Sequence, residues 1–263
     1  MKYRVYDLGR PLEITTPVAP GHPPFRMALQ RRHGDAVRED GSSSANELIT
    51  TSGHTGTHID AFAHFSREGL LFSGHDAYTA SRGGRFHIYG SETIAPLVGR
   101  GVLIDVAAAE GSQALEAGRP ITAADIEAAC RHHGVEVRAG DAVLFRTGWP
   151  VERYEDQEAY VGWDTGVPGP DESAAAWLAD REVRVAGADT IAFEWLAPGA
   201  QHTQLPVHVR LLVDAGIHII EVLDLEELAR DAVHEFLFVA APLKIVGATG
   251  APVRPLALVE SAA

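Results

Sequence analysis

Cysteine is almost absent from this sequence, which has a single one, Cys130, among its 263 residues. One cysteine excludes an intrachain disulfide framework and a zinc site built from thiolates. Long apolar runs are also missing, so no segment approaches the roughly 20 residues of a membrane-spanning helix. The opening residues have no apolar stretch behind their basic side chains, so we expect no secretory signal peptide. These absences together predict a cytoplasmic protein that does not bind membranes.

Basic residues are scarce as well. The chain has 22 Lys and Arg against 36 Asp and Glu, for a formal net charge of −14. An acidic surface of this kind repels a phosphate backbone, so we expect a small-molecule substrate and no nucleic-acid partner. No repeat and no long linker divides the sequence, and we predict one domain over residues 1–263.

Helix and strand signals alternate in the second half of the chain, which is typical of an α/β fold. Capping residues, glycine stops and apolar spacing predict helices at Thr122–His133, Asp171–Asp180 and Leu205–Ala215. Short apolar runs predict strands at Gly101–Val106, Ala142–Arg146, Arg184–Gly187, Ile217–Glu221, Phe236–Ala240 and Leu243–Val246. Because the first half has few helix signals, we expect a mixed sheet and not a purely parallel one.

Histidine is the residue in excess, with 13 in the chain, and three of them lie close together. His54, His58, Asp60 and His64 fall within eleven residues. Imidazole nitrogens and carboxylate oxygens are the usual ligands of Zn²⁺ and related ions, and a carboxylate can bridge two metals. His58 and Asp60 would share one face of an extended segment, and Gly53 and Gly56 would let the chain turn His54 onto the same site. The spacing predicts a divalent metal site, with a hydrogen-bonded polar cluster as the alternative.

The segment His54-Thr-Gly-Thr-His58-Ile-Asp60-Ala-Phe-Ala-His64 resembles the H-x-G-T-H-x-D-x-P-x-H signature of the cyclase family of metal-dependent hydrolases. That family includes bacterial kynurenine formamidases and isatin hydrolases. Further similarities follow in order, among them Asp141-Ala-Val-Leu-Phe-Arg-Thr-Gly-Trp149 and the closing segment from Ala241 to Arg254. The resemblance spans nearly the whole chain and implies a swivelling β/β/α-type fold.

The resemblance assigns roles to residues of this chain. It implies that His54, His58 and Asp60 bind a first metal and that His208 and Glu221, with the same aspartate, bind a second. It implies that His64 transfers protons. Zinc and manganese both suit these ligands, and one or two ions per chain are open. The implied reaction is hydrolysis of the C–N bond of a small aromatic or cyclic amide by a metal-activated water, with His64 as the proton shuttle.

Two alternatives to this reaction are a lactone hydrolase or dehydratase/cyclase on the same metal site, and a non-catalytic homologue that binds a metal or small ligand. A pocket for an aromatic substrate has six candidate wall residues: Phe25, Phe62, Phe65, Trp149, Phe193 and Trp195. Phe62 stands at the signature's proline position, and Ala19 stands where kynurenine formamidases carry a substrate-stacking tryptophan. The resemblance also implies a homodimer or homotetramer in which residues 17–25 complete a neighbouring subunit's pocket.

Overall fold

The computed structural model describes residues 2–200 and 202–260. Its strands are β1 (Tyr3–Asp7), β2 (Arg26–Arg31), β3 (Asn46–Thr50), β4 (His58–Asp60), β5 (Ser81–Arg82), β6 (Arg85–Phe86), β7 (Leu97–Asp105), β8 (Pro120–Ile121), β9 (Ala142–Arg146), β10 (Gly169–Pro170), β11 (Val185–Ala188), β12 (His218–Glu221), β13 (Glu235–Ala240), β14 (Gly250–Pro252) and β15 (Leu256–Glu260). Its α-helices are α1 (Ala77–Ala80), α2 (Val106–Ala109), α3 (Ala123–His133), α4 (Gln157–Val161), α5 (Glu172–Asp180), α6 (Pro206–His208) and α7 (Glu226–Arg230). The ends of the predicted domain, Met1 and Ala263, lie outside the described residues.

A nine-stranded sheet organises the fold, in the order β1-β15-β13-β7-β9-β11-β12-β4-β14. Strands β7, β9, β11 and β12 pair in parallel at its centre. The strands outside them pair antiparallel, β13 against β7 on one side and β4 against β12 on the other. The sheet is therefore mixed, and the expected α/β fold of one domain is confirmed.

The central strands are buried on both faces, as parallel strands between two layers must be. In β7, Val102 and Ile104 pack on the side of the longer helices, while Leu103 packs on the opposite side with Leu144. The helix layer supplies Ile126 from α3 and Leu178 from α5. Within the part of the chain that the structure describes, no helix is long and apolar enough to cross a membrane.

Local signals set the helix boundaries as predicted. The Thr122 hydroxyl accepts from the backbone N–H of Asp125, whose carboxylate accepts from the Thr122 N–H, and α3 ends at Gly134 in the left-handed region. The Asp171 carboxylate accepts from the N–H groups of Ser173 and Ala174 at the start of α5. The third predicted helix begins at Pro206 and continues beyond α6 as a π-helix over Val209–Ala215.

The predicted strand at Leu243–Val246 is wrong. This segment is an irregular connection in which Leu243 and Val246 are 58% and 60% exposed, and it turns at Gly247 with φ of 75°. A run of apolar residues forms a sheet strand only when a neighbouring strand continues a ladder of backbone hydrogen bonds along it. Here the Leu243 N–H donates to the Pro252 carbonyl of β14, but no ladder continues from there, and the segment joins none of the described sheets. The later strands β14 and β15, between which Pro255 lies, were not predicted.

Candidate metal centre

Adjacent strands bring the first ligands together. In the antiparallel pair β4–β12, His58 lies directly opposite Glu221. Because side chains alternate along a strand, His58 and Asp60 project to one face, while Ile59 between them enters the core. The nitrogen His58 Nε2 lies 3.3 Å from Glu221 Oε2 and 3.6 Å from Asp60 Oδ1. Both distances place these side chains around one point.

His54 reaches the same point from the loop before β4. Its Nδ1 lies 2.8 Å from Asp60 Oδ1, and its Nε2 lies 2.9 Å from the Thr249 hydroxyl. The loop turns at Gly56, which has φ of 65°. A close approach at Gly250 makes room for the ring, since a Cβ there would lie 2.5 Å from His54 Cε1. The expected turn of His54 onto the site is therefore present.

His208 approaches from α6 on the other side of Asp60. Its Nε2 lies 3.1 Å from Glu221 Oε1 and 3.6 Å from Asp60 Oδ2. Its Nδ1 donates to Glu194 Oε1 at 2.6 Å, and Glu194 also accepts from the backbone N–H groups of Val207 and His208. This carboxylate fixes the tautomer that leaves Nε2 free for a ligand. Glu194 was not predicted, because its partner His208 is fourteen residues away and no local pattern marks it.

These side chains form two groups of metal ligands that share one residue. The first group is His54, His58 and Asp60, and the second is Asp60, His208 and Glu221. Within each group the ligand atoms lie within 4.8 Å of one another. The structure thus brings together all five residues named as metal ligands.

The donor set fits a divalent metal. Asp60 is fully buried, and both of its carboxylate oxygens, like His54 Nδ1, lack a well-aligned hydrogen bond. Buried charged atoms left in this state are costly unless something binds them. Ligands bonded at about 2.05 Å in tetrahedral geometry lie about 3.3 Å apart, close to most of the separations above. Nitrogen and carboxylate oxygen are ligands that Zn²⁺ and Mn²⁺ accept.

The electrostatics of the site favour a cation. Burial opposes the ionisation of Asp60, but the imidazoles of His64 and His54 hold its pKa well below the usual range. Burial likewise opposes a charge on His208, yet the carboxylates of Glu194 and Glu221 raise its pKa to about 10. A site that retains a proton on a buried imidazole is a site in which positive charge is stabilised.

His64 lies beside the two groups without belonging to either. Its ring stacks on that of His54 with centroids 4.0 Å apart and lines a cavity of about 380 Å³. Burial and the neighbouring His54 lower the pKa of His64 to about 3, so its imidazole is neutral at pH 7. Among the described residues, no group hydrogen bonds to its ring.

Two further histidines, neither predicted, adjoin the centre. The ring centroid of His22 lies 5.2 Å from that of His54 and 6.5 Å from that of His64. His218 donates from Nδ1 to the Asp60 carbonyl, and Phe62 stacks on its ring at 4.0 Å. His218 thus holds the backbone at Asp60. Spacing along the chain gave no signal for these contacts.

The candidate pocket aromatics lie in different surroundings. Phe65 lies 4.8 Å from the rings of both His64 and His208. Phe25, Trp149 and Phe193 are buried: Phe193 packs against Phe145, and the Trp149 indole donates to the Tyr160 carbonyl inside the core. They present almost no surface to a ligand in this structure. Trp195 is 36% exposed and donates to the Gly118 carbonyl. That these side chains wall a pocket stays a prediction.

Comparisons with known proteins agree on one family. The Cyclase family model, described as "Putative cyclase", matches residues 6–195. The chain is 30% identical to the isatin hydrolase of Roseibium aggregatum, over 98% of this chain and 92% of that one. It is 28% identical to the kynurenine formamidase of Sphingopyxis alaskensis, over 96% and 97%. A crystal structure described as a novel cyclase superposes with a TM-score of 0.87 at 28% identity, covering 98% of this chain and 89% of that one.

Proposed function

This chain belongs to the cyclase family and is a metal-dependent hydrolase, and we propose that it cleaves the C–N amide bond of a small aromatic or cyclic amide. The observation that carries the proposal is the pair of ligand groups sharing Asp60, beside a neutral histidine in an open cavity. The two relatives described above are named for a formamide and for isatin, a cyclic amide. The small cavity suits substrates of that size.

The residues that would hold metal are His54, His58 and Asp60 for one ion, and Asp60, His208 and Glu221 for a second. We favour two ions, zinc or manganese, because each Asp60 oxygen lies near a different histidine. A bound divalent ion lowers the pKa of water from about 15.7 to about 7 and polarises a carbonyl group.

His64 supplies the acid–base step in this proposal. Its neutral ring accepts a proton as water adds to the amide carbon, and it returns that proton to the departing nitrogen. A linear amide thus gives an amine and a carboxylic acid, and a ring amide gives one ring-opened product that carries both groups. Phe65, which contacts the His64 ring, holds it at the cavity wall.

Substrate hydrolysis by variants tests the proposal. We expect protein loaded with Zn²⁺ or Mn²⁺ to hydrolyse a formanilide or an isatin-type ring amide, and a chelator to abolish turnover. His58→Ala should be inactive, whereas His132→Ala, an exposed histidine on α3, should retain activity. A folded His58→Ala variant with full turnover would refute the metal mechanism. Cleavage of an aromatic lactone without cleavage of any amide would favour the lactone hydrolase.

A second copy of the chain is the partner we propose. The hairpin β2–β3 is exposed along its whole length, and Met27, Leu29, Leu48 and Ile49 are each at least half exposed. Met27 pairs with Ile49, while Leu48, next to Ile49 in β3, projects to the opposite face, so each face carries exposed apolar side chains. An isolated two-stranded hairpin is marginal in water, and these faces need cover.

Light scattering tests this assembly. We expect a dimer or tetramer, and we expect Met27→Glu combined with Leu48→Glu to shift the protein towards monomers. A wild-type protein that is monomeric and fully active would contradict the proposal.

Cytoplasmic location is a further proposal, supported by the single, unpaired Cys130.

A further inference from the structure

A second, larger cavity adjoins the candidate metal centre. It has a volume of about 790 Å³ and lies between residues 156–165 and residues 18–22 of the same chain. Residues 18–22, which the family resemblance assigns to a neighbouring subunit's pocket, thus line a cavity beside this chain's own metal ligands. His22 lines this cavity and also the smaller one that contains His54 and His64. The larger cavity therefore begins where the reaction would take place. Its volume falls within the range of roughly 300–1,000 Å³ that is usual for small-molecule sites.

Trp163 is the one large aromatic side chain among the residues that line the cavity, and it is 37% exposed. Its loop is held in place, because the Gly166 N–H donates to the Gly162 carbonyl at 2.8 Å and Val167 pairs with Leu196 just beyond. The indole is also nearly parallel to the ring of His202, with centroids 6.4 Å apart. A positioned indole facing a cavity offers a flat apolar surface for stacking.

The rest of the cavity wall combines apolar and acidic side chains. Three carboxylates line it, those of Asp156, Glu158 and Asp164, and no described lysine or arginine does so. The Asp156 carboxylate accepts from the Ala159 N–H at the start of α4. Glu158 and Asp164 are exposed and form no ion pair within the described part of the chain, so their negative charges face the open cavity and are screened only by solvent and salt. A negative ring substituent would be repelled here.

We propose that this cavity, called here the aromatic subsite (residues 18–22 and 156–165), binds the ring of the amide substrate, with Trp163 as its stacking wall. Its carboxylates select rings that are neutral or carry an amine over rings that carry a carboxylate. The amide group then lies beyond His22, next to His64 and the metal ligands. The inference rests on the proposed amide hydrolysis and narrows the substrate class to uncharged or cationic aromatic amides.

Three formanilides that differ only at the para position test the charge selection: unsubstituted, aminomethyl and carboxylate. We expect kcat/KM of the metal-loaded enzyme to be highest for the aminomethyl compound and lowest for the carboxylate, with about fivefold or more between successive members. Glu158→Gln combined with Asp164→Asn should reduce this spread to within about twofold. Glu155→Gln, an exposed acid three residues before Glu158 that faces a different cavity, should leave the spread unchanged.

Replacement of Trp163 tests the stacking wall. Trp163→Ala should raise KM for all three formanilides about two- to tenfold with kcat nearly unchanged, and Trp163→Phe should restore most of the loss. The binding of benzylamine and of benzoate to metal-free enzyme, prepared with a chelator, gives a readout that does not depend on turnover. Benzylamine should bind more tightly, and Trp163→Ala should weaken its binding.

The outcomes separate the two proposals. If the metal-loaded enzyme hydrolyses no amide, the proposed function fails. If it hydrolyses the formanilides but ranks them without regard to charge, or if a folded Trp163→Ala variant has an unchanged KM, the aromatic subsite is wrong and the proposed function stands. If Trp163→Ala does not fold, the charge series on the wild type and the Trp163→Phe variant decide the question.

Discussion

Asp60 is the residue on which the whole site depends. Each of its oxygens faces a different histidine, and its main chain is held by His218. Asp60 belongs to both ligand groups, one completed by His54 and His58 and the other by His208 and Glu221. Residues around Asp60 therefore divide into those that would bind metal, those that orient a ligand and one that faces the cavity, and substitutions should separate these roles.

His64 should affect turnover without affecting metal content. Because it belongs to neither ligand group, we expect His64→Ala to retain its metal while kcat falls about 10²- to 10⁴-fold. Elemental analysis and steady-state kinetics on the same preparation measure both quantities. Loss of metal from the variant would make His64 a ligand, and an unchanged kcat would remove it from the mechanism.

Glu194 should affect metal affinity because it orients His208. Glu194→Gln keeps the shape but weakens the 2.6 Å hydrogen bond to His208 Nδ1, and we expect metal affinity to fall about 10- to 100-fold. Competition with a chromogenic chelator measures the affinity. Glu155→Gln is the matched control at an exposed acid. Equal affinities for Glu194→Gln and the control would show that His208 does not need this partner.

Among the helices and strands, features set by neighbouring residues could be predicted from the sequence, whereas pairings between distant segments could not. Helix α3 was predicted because its capping residues, Thr122 and Gly134, bond to backbone groups only a few residues away. The segment Leu243–Val246 was misassigned because strand formation depends on a distant pairing partner. The shared face of His58 and Asp60 follows from alternation in β4, but the position of Glu221 opposite His58 is a matter of register between distant strands.

Gly250 in strand β14 makes room for the ring of His54, and a substitution at Gly250 tests this contact. A Cβ at Gly250 would lie 2.5 Å from the His54 ring, so we expect Gly250→Ala to displace that ring and reduce metal binding. Gly99→Ala in β7 is the control, since a Cβ there would meet nothing within 4 Å. Titration with Zn²⁺ measures both variants. Wild-type affinity in Gly250→Ala would mean that the His54 ring does not need the space left by Gly250.

At the scale of the whole molecule, the candidate site lies beside the carboxyl end of the parallel strand β12, at the join with antiparallel β4. The alternation of helices and strands in the second half and the mixed sheet followed from composition and periodicity, and the ligand set followed from the family resemblance. Glu194 and His22 did not, because their partners are brought close only by the folded sheet. The left-handed backbone of Val222, with φ of 59° next to Glu221, also has no mark in the sequence.

Metal binding should be coupled to the loss of a proton from His208. The raised pKa of His208, about 10, means that the metal-free chain holds a proton on its imidazole at pH 7. A metal ligand must lose that proton, so binding should release it and affinity should rise with pH from about 7 towards 10. Calorimetry in buffers of different ionisation enthalpy counts the released protons. Binding without proton release, at an affinity independent of pH, would contradict this linkage.

The most direct test of the account is the number of metal ions per chain, measured by elemental analysis after dialysis against Zn²⁺ or Mn²⁺. We expect about two ions for the wild type and about one for Glu221→Gln, because that substitution removes a ligand of the second group only. Retention of a single ion by the wild type would contradict the sharing of Asp60 by two metals. A folded wild-type protein that binds neither ion would show that these five residues do not form a metal centre.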